Sequence, residues 1–348
     1  MTLKDKLQII LITYNREAYL KQTLQQLFSS TSPIKECDIT ILDNASTDGS
    51  TELIDNYCHK FKNLTHIRHH VNIGGNANIC RAFEIGYSCG KEYTWVLCDD
   101  DTYDFSFFPA IKKAIISNKF DIIYTNRCLN IEAPQISKGY LAFTAAFLPG
   151  CIYKTKCISS DIIQNMYGTI HTWYPQSILS LDILYNKNGR YYFPDGNLII
   201  RGNITDANKN VASLTRGIHL LHPDLQRMFW HIGFIKVAQI ITNPKIRTEV
   251  IETANFNECY NETFYDYLYS IINYNICWKE NSLKNIMDVL CNLNIKQRFL
   301  FIKAYCIYFT KKFLSKVFSL KNTPDKQHKV ITFLGLKLKI KHKPRKKG

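Results

Sequence analysis

The run Tyr93-Thr94-Trp95-Val96-Leu97-Cys98, stopped by Asp99-Asp100-Asp101, constrains this chain more than any other stretch. A short apolar run without alternation is a strand buried on both faces, as in parallel sheets, and its acidic end marks the sheet's carboxyl edge. Ligands of open α/β sheets bind at that edge. Three adjacent carboxylates raise one another's pKa unless positive charge lies between them. A hard divalent cation, Mg²⁺ or Mn²⁺, meets that need, because it takes one or two protein carboxylates together with substrate phosphates. A solvated acidic turn is the plainer alternative.

Two upstream segments share the design. Leu7 to Arg16 is a buried strand running into a polar turn, and Leu20, Leu24, Leu27 and Phe28 then recur at helical spacing. Asp38 to Asp43 is a β-branched strand followed by Asn44-Ala45-Ser46-Thr47-Asp48-Gly49 turn chemistry and a helix through Tyr57. Asp43 can accept from a base N–H or a ribose hydroxyl, or cap the next helix; for Asp48 capping is expected. A short strand, Leu64 to Arg68, precedes Asn72-Ile73-Gly74-Gly75. The paired glycines permit close backbone approach, and Arg81, two turns on, has the planar fork that suits a diphosphate.

Composition narrows the class. The formal charge is +15, but Lys296 to Gly348 holds 16 Lys and Arg against one acid, Asp325, so the excess lies wholly in the tail. A nucleic-acid partner is therefore not expected from the whole-chain basicity. The 12 cysteines form no C-x-x-C pair, which favours reduced thiols and a cytoplasmic setting. No signal segment precedes Leu7 and no apolar run reaches the roughly 18 residues of a spanning helix.

In order and spacing, Ile12-Thr13-Tyr14-Asn15-Arg16, Ile41 to Ser50, Asn72-x-Gly74-Gly75 with Arg81, and Leu97-x-Asp99-Asp100-Asp101 resemble the bacterial family 2 glycosyltransferases of surface-polysaccharide and lipooligosaccharide biosynthesis. The resemblance implies an α/β fold of the GT-A (Rossmann-like) type at residues 1–224; by their own pattern residues 225–320 then read as a helical region and 321–348 as a basic amphipathic tail. It implies inverting, metal-dependent transfer of a sugar from a nucleotide diphosphate sugar to a growing lipopolysaccharide, lipooligosaccharide or capsule. Thr13, Tyr14, Asn15, Asp43, Gly74, Arg81, Asp99 and Asp100 would hold the donor, with Tyr14 and Asp43 around the base and Asp99 near the ribose. Asp101, with Asp99, would hold the Mg²⁺ or Mn²⁺ of a DXD motif.

Members of that family carry a carboxylate base about a dozen residues before the last edge strand, here Gly189 to Asp195. This chain instead has His171-Thr172-Trp173 there. His171 has the right ordinary pKa for a base; Asp161 and Asp182 are the carboxylate alternatives. Arg201, Gly202 and Asn203 stand where some members place a metal-binding His, and His219, His222 and His231 follow.

In the tail, Leu336, Leu338 and Ile340 alternate with Lys337, Lys339 and Lys341, an amphipathic strand pattern. The expected partners are a glycan or lipid-linked glycan acceptor and an anionic membrane surface, with the protein peripheral on the inner face of the cytoplasmic membrane. Two rivals are a sugar nucleotidyltransferase, expected to show a Gly-rich phosphate loop where Thr13 to Arg16 stands, and a non-catalytic polyanion- or membrane-binding protein.

Overall fold

The buried runs become neighbouring strands. The computed structural model describes residues 2–126, 137–172, 174–200 and 233–253, with shorter stretches at 298–299, 302–303, 306–307, 310, 318–322, 328–333 and 336–341. In chain order the first half contains α1 (Leu3–Lys6), β1 (Leu7–Thr13), α2 (Glu17–Leu27), β2 (Asp38–Asp43), α3 (Ser50–Lys60), β3 (Leu64–Arg68), α4 (Gly75–Ser88) and β4 (Tyr93–Cys98). Then come β5 (Thr102–Tyr103), α5 (Phe108–Ser117), β6 (Ile122–Tyr124), α6 (Lys138–Thr144), β7 (Cys151–Lys154), α7 (Ser160–Gly168), α8 (Ser177–Leu181), β8 (Tyr191–Tyr192), β9 (Ile199–Ile200) and α9 (Pro244–Thr253).

The seven-stranded sheet has the order β3-β2-β1-β4-β7-β6-β8. Strands β3, β2, β1 and β4 are parallel; β7 is antiparallel to β4 and β6, and β6 is parallel to the edge strand β8. The chain steps outward from β1 through β3 and then returns to the other side of β1 as β4. That reversal opens a crevice between the carboxyl ends of β1 and β4, the usual ligand position of such sheets.

Alternate residues of each central strand feed two apolar layers. Ile10 and Val96 pack with Phe83, Tyr153 and Phe234 on one side. Leu7, Ile9, Leu11, Trp95 and Leu97 pack with Leu20, Leu24, Ile54 and Ile111 on the other. Burial on both faces explains the unbroken hydrophobic runs. Asp48 stands one residue before Gly49, the N-cap of α3, and its carboxylate accepts from Ser50 N at 3.0 Å and from Glu17 N, at the start of α2, at 3.1 Å.

The chain divides into compact units Met1–Cys259 and Tyr260–Gly348. The first unit therefore runs past the expected boundary at 224. Helix α9 explains why: Lys138 of α6 pairs with Glu249 at 2.8 Å, and Gly139 N donates to the Thr253 hydroxyl at 2.9 Å. In the second unit β10 (Phe318–Asn322), β11 (His328–Phe333) and β12 (Leu336–Lys341) form an antiparallel sheet. The expected helical stretch thus gives way to strand before residue 320. Most of residues 225–320, together with Arg201, Gly202, Asn203, His219, His222 and His231, lies outside the described residues. Among the described residues no helix is long and apolar enough to cross a membrane, and the described cysteines are free thiols.

Candidate active site

The crevice is built from loop ends. Strand β1 finishes at Thr13, whose Oγ1 donates to Asp99 Oδ2 at 2.6 Å, so one hydrogen bond spans the mouth between β1 and β4. Asn15, at φ 50°, and Ala45, at φ 62°, both turn through the left-handed region. Such strain in non-glycine residues persists only where the surroundings enforce it, and it gathers at functional loops. The enforcement is visible: Asn15 N donates to Ser46 Oγ at 3.0 Å, and Asn15 Oδ1 accepts from Thr47 N at 2.6 Å. Tyr14, between Thr13 and Asn15 in the chain, is half-buried.

The three acids do not act alike. Asp99 is buried and faces Thr13 and Arg16; Arg16 Nη1 lies 2.9 Å from Asp99 Oδ1 and 2.9 Å from Asp100 Oδ2. Burial pushes the Asp99 carboxyl up to about 6, and the Asp100 charge adds to this, against the pull of Arg16 and the Thr13 hydroxyl. For Arg16 burial opposes the charge, and the two carboxylates overcome it and raise the pKa. The positive charge that three adjacent carboxylates require is thus supplied in part by the chain itself.

Asp100 and Asp101 make the other half of the cluster. One carboxylate oxygen from each, with Cys98 Sγ, lie within 4.8 Å of one another. The two carboxylates fit a hard divalent cation, which takes oxygen ligands and completes its shell from water and phosphate. Cys98 was not anticipated; the only signal in the sequence is its place directly before the acids. Asp99, expected as a metal ligand beside Asp101, is turned toward Thr13 and Arg16 instead. The loop is pinned from outside by Thr23 Oγ1, which donates to Asp99 O at 2.8 Å, and by pairing of β5 with β9.

Asp43 closes the far wall with no exposed surface. Its Oδ1 accepts from Ser46 N at 2.8 Å and its Oδ2 from Thr51 Oγ1 at 3.0 Å, with Arg68 Nε at 3.4 Å and His66 Nε2 at 3.8 Å. Burial would raise its pKa, but the His66 charge and the Ser46 and Thr51 hydrogen bonds outweigh it and hold the carboxyl at about 2. Burial likewise opposes the His66 charge; Asp43 and Asp55 overcome it and raise the imidazole's pKa. His66 and Arg68 were missed because only the β2–β3 register, Ile41 opposite His66 and Asp43 opposite Arg68, brings them to Asp43.

The glycine turn is tied to the same wall. Asn44, buried beside Asp43, accepts from Ile73 N at 2.9 Å and donates to Asn72 Oδ1 at 2.8 Å; Asn72 Oδ1 also accepts from Gly74 N at 2.8 Å. Gly74 sits at φ 90°, ψ 149°, a region essentially reserved for glycine. Arg81 lies on α4 but pairs with Glu84 at 2.7 Å, on the face where Tyr167 OH donates to Glu84 at 3.3 Å.

The three candidate bases are separated. Asn76 Nδ2, in the first turn of α4, donates to Ile170 O at 2.7 Å and to Thr172 O, which seats the turn carrying His171 against the crevice side of the sheet. Neighbouring protein atoms that displace water, together with the Lys236 charge, hold the imidazole of the surface residue His171 below its usual range. Asp161 stands at the other end of α7, about 14 Å of helix away, on the approach from Lys154, which pairs with Tyr93 at the amino end of β4. Asp182 begins a π-helical turn, Asp182–Asn186, and is held by Lys187 Nζ at 2.7 Å and Asn186 Nδ2 at 3.0 Å. That turn leads to the amino ends of β6 and β8, away from the acids.

Known proteins resemble parts of this chain. Residues 8–150 match the family model described as Glycosyl transferase family 2. Abequosyltransferase RfbV of Salmonella typhimurium is 28% identical over 116 residues, 33% of this chain and 34% of that protein. Poly(ribitol-phosphate) beta-glucosyltransferase of Bacillus spizizenii is 33% identical over 70 residues, 20% of this chain and 11% of that protein. The matched stretch spans about a third or less of each of these curated relatives. Among solved structures, S. aureus TarS 1-349 superposes with a TM-score of 0.53 at 13% identity, covering 97% of this chain and 99% of that one. Mannosyltransferase PcManGT from Pyrobaculum calidifontis, in complex with GDP-Man and Mn²⁺, superposes with a TM-score of 0.51 at 14% identity, covering 90% and 88%. At such identities the structural likeness speaks for the fold, which is GT-A, and the family model says what residues 8–150, less than half of the chain, are similar to: the family 2 glycosyltransferases.

Proposed function

We propose that this protein is a metal-dependent, inverting glycosyltransferase that moves a sugar from a nucleotide diphosphate sugar to a bacterial surface glycan. The observation that carries the reading is the acid cluster at the carboxyl end of β4, set beside β1 where the strand order reverses. The similar proteins, an abequosyltransferase and a poly(ribitol-phosphate) beta-glucosyltransferase, favour a surface glycan as acceptor class.

Each residue has a task in this reading. Asp43, Asn44 and Tyr14 line the nucleoside side, Asp99 faces the ribose, and the glycine turn at Gly74 approaches the diphosphate. Asp101 and Asp100 hold the divalent cation, which when bound stabilises the charge that develops on the departing diphosphate. His171 takes the proton of the acceptor hydroxyl as its oxygen bonds to the anomeric carbon. The bond from that carbon to the diphosphate oxygen breaks on the opposite side, and the nucleoside diphosphate leaves with the electron pair. A base held neutral near pH 7 suits this role, and the lowered His171 pKa favours it.

The test is a screen of nucleotide sugars with purified protein and Mn²⁺, reading released nucleoside diphosphate, followed by NMR of the product's anomeric configuration. Release from one donor class with inversion is expected. No release from any donor, or retention of configuration, would overturn the reading.

A further inference from the structure

Arg16 stands at a position the cation reading leaves unexplained. Its Nη1 bonds two of the three acids at 2.9 Å each, and its side chain is 14% exposed. Asp100 also belongs to the cluster that fits a cation. A guanidinium and a divalent ion near one carboxylate repel each other, so each weakens the other's hold.

We propose that Arg16 is the resident counter-cation of the acid cluster: it balances Asp99 and Asp100 while no ligand is bound, then gives up Asp100 to the entering divalent cation and stays on Asp99. This rests on the proposed metal-dependent reading. The two carboxylates differ in the way the exchange requires. Asp99 is 4% exposed and anchored by Thr13 as well as Arg16, so leaving it would strand a buried charge. Asp100 is 19% exposed and adjoins Asp101 and Cys98, so another cation can replace the bond it loses. Both Arg16 bonds leave from Nη1, so the guanidinium can release one carboxylate and keep the other without moving its backbone. The arrangement keeps the crevice preformed in the free protein and sets metal affinity low enough for release with the departing diphosphate. Arg16 is accordingly a positioning residue.

The experiment measures Mn²⁺ binding to full-length protein without nucleotide, by electron paramagnetic resonance of free Mn²⁺, for wild type, Arg16→Gln and Arg16→Lys. Loss of a unit positive charge at this range is expected to tighten Mn²⁺ binding about tenfold or more in R16Q, while R16K stays near wild type. R16Q should also melt below wild type without Mn²⁺ and gain more from it, a response that general structural damage would not give. Equal or weaker Mn²⁺ binding by R16Q overturns the proposal alone; absence of binding by all three proteins withdraws the metal reading with it. Should R16Q fail to fold, crystals of wild type with Mn²⁺ and a nucleoside diphosphate decide: Arg16 is expected off Asp100 and on Asp99, and a retained bond to Asp100 overturns the exchange.

Discussion

Asp43 and His171 show how single residues carry the account. The Asp43 carboxyl lies at about 2 in the folded protein against an ordinary 3.8. A depressed carboxyl contributes stability that is present above its unfolded pKa and lost as pH falls through the folded one, here between about 4 and 2, and linkage makes this about 2 kcal/mol. His66 has the opposite sign: its pKa is raised, so its contribution is present below its ordinary 6.5 and lost as pH rises through the folded value. Denaturant unfolding across this range should therefore show an acid limb that Asp43→Asn removes; the same limb in both proteins would contradict the assignment. At His171 an effect on chemistry is expected, not on donor affinity. His171→Ala should lower kcat by about a hundredfold with little change in donor KM. If turnover instead collapses in Asp182→Asn and survives in His171→Ala, the base is the carboxylate.

At the scale of elements, the β3–α4 turn is the most exposed to a small change. Gly74 holds a backbone conformation that a Cβ disfavours, and Asn44 fixes the turn from β2. Gly74→Ala is expected to cost about 1–3 kcal/mol in stability and to weaken nucleoside diphosphate binding; calorimetric titration showing unchanged affinity would free the turn from that role. The strands β1, β2 and β4 were legible because strands buried on both faces are written as largely unbroken apolar runs, and the edge strand β3 falls on Leu64–Arg68 as its residues suggested. The acids were legible as a candidate site because such a run ends at the sheet's carboxyl edge, where ligands of open α/β sheets bind. What the sequence hid is pairing across distance. Arg16 read as a polar turn residue, and nothing local shows that it meets Asp99 and Asp100, more than eighty positions later. His66 and Arg68 lie in a stretch that read only as a short strand, and the β2–β3 register is what places them on Asp43. The separation of Asp161, Asp182 and His171 follows from the antiparallel direction of β7, which residue spacing alone does not reveal.

At the scale of the whole molecule, the excess charge and the candidate site occupy different stretches of chain. The formal excess of +15 lies between Lys296 and Gly348, and the pairing of β10, β11 and β12 gathers part of it into one sheet. Leu338 is 65% exposed on the strand where Lys337, Lys339 and Lys341 alternate with apolar residues. Basic charge together with exposed apolar area is the two-signal arrangement that stable attachment to an anionic membrane needs. Deleting residues 318–348, which removes all three strands, should release the protein from anionic vesicles. The attraction of the full chain should fade as salt shortens the Debye length from about 10 Å at 0.1 M to about 3 Å at 1 M. Full-length protein left in the supernatant at low salt would contradict this. The central claim, that Asp100 and Asp101 hold a cation through which a nucleotide diphosphate sugar is gripped, is tested most directly by thermal melting of wild type and Asp101→Ala with nucleotide sugars, in Mn²⁺ and in chelator. A ligand that binds only the folded state raises its melting temperature. A donor that raises the wild-type melting temperature in Mn²⁺, but neither in chelator nor in Asp101→Ala, is the predicted result; a rise of equal size in all three conditions would contradict the claim.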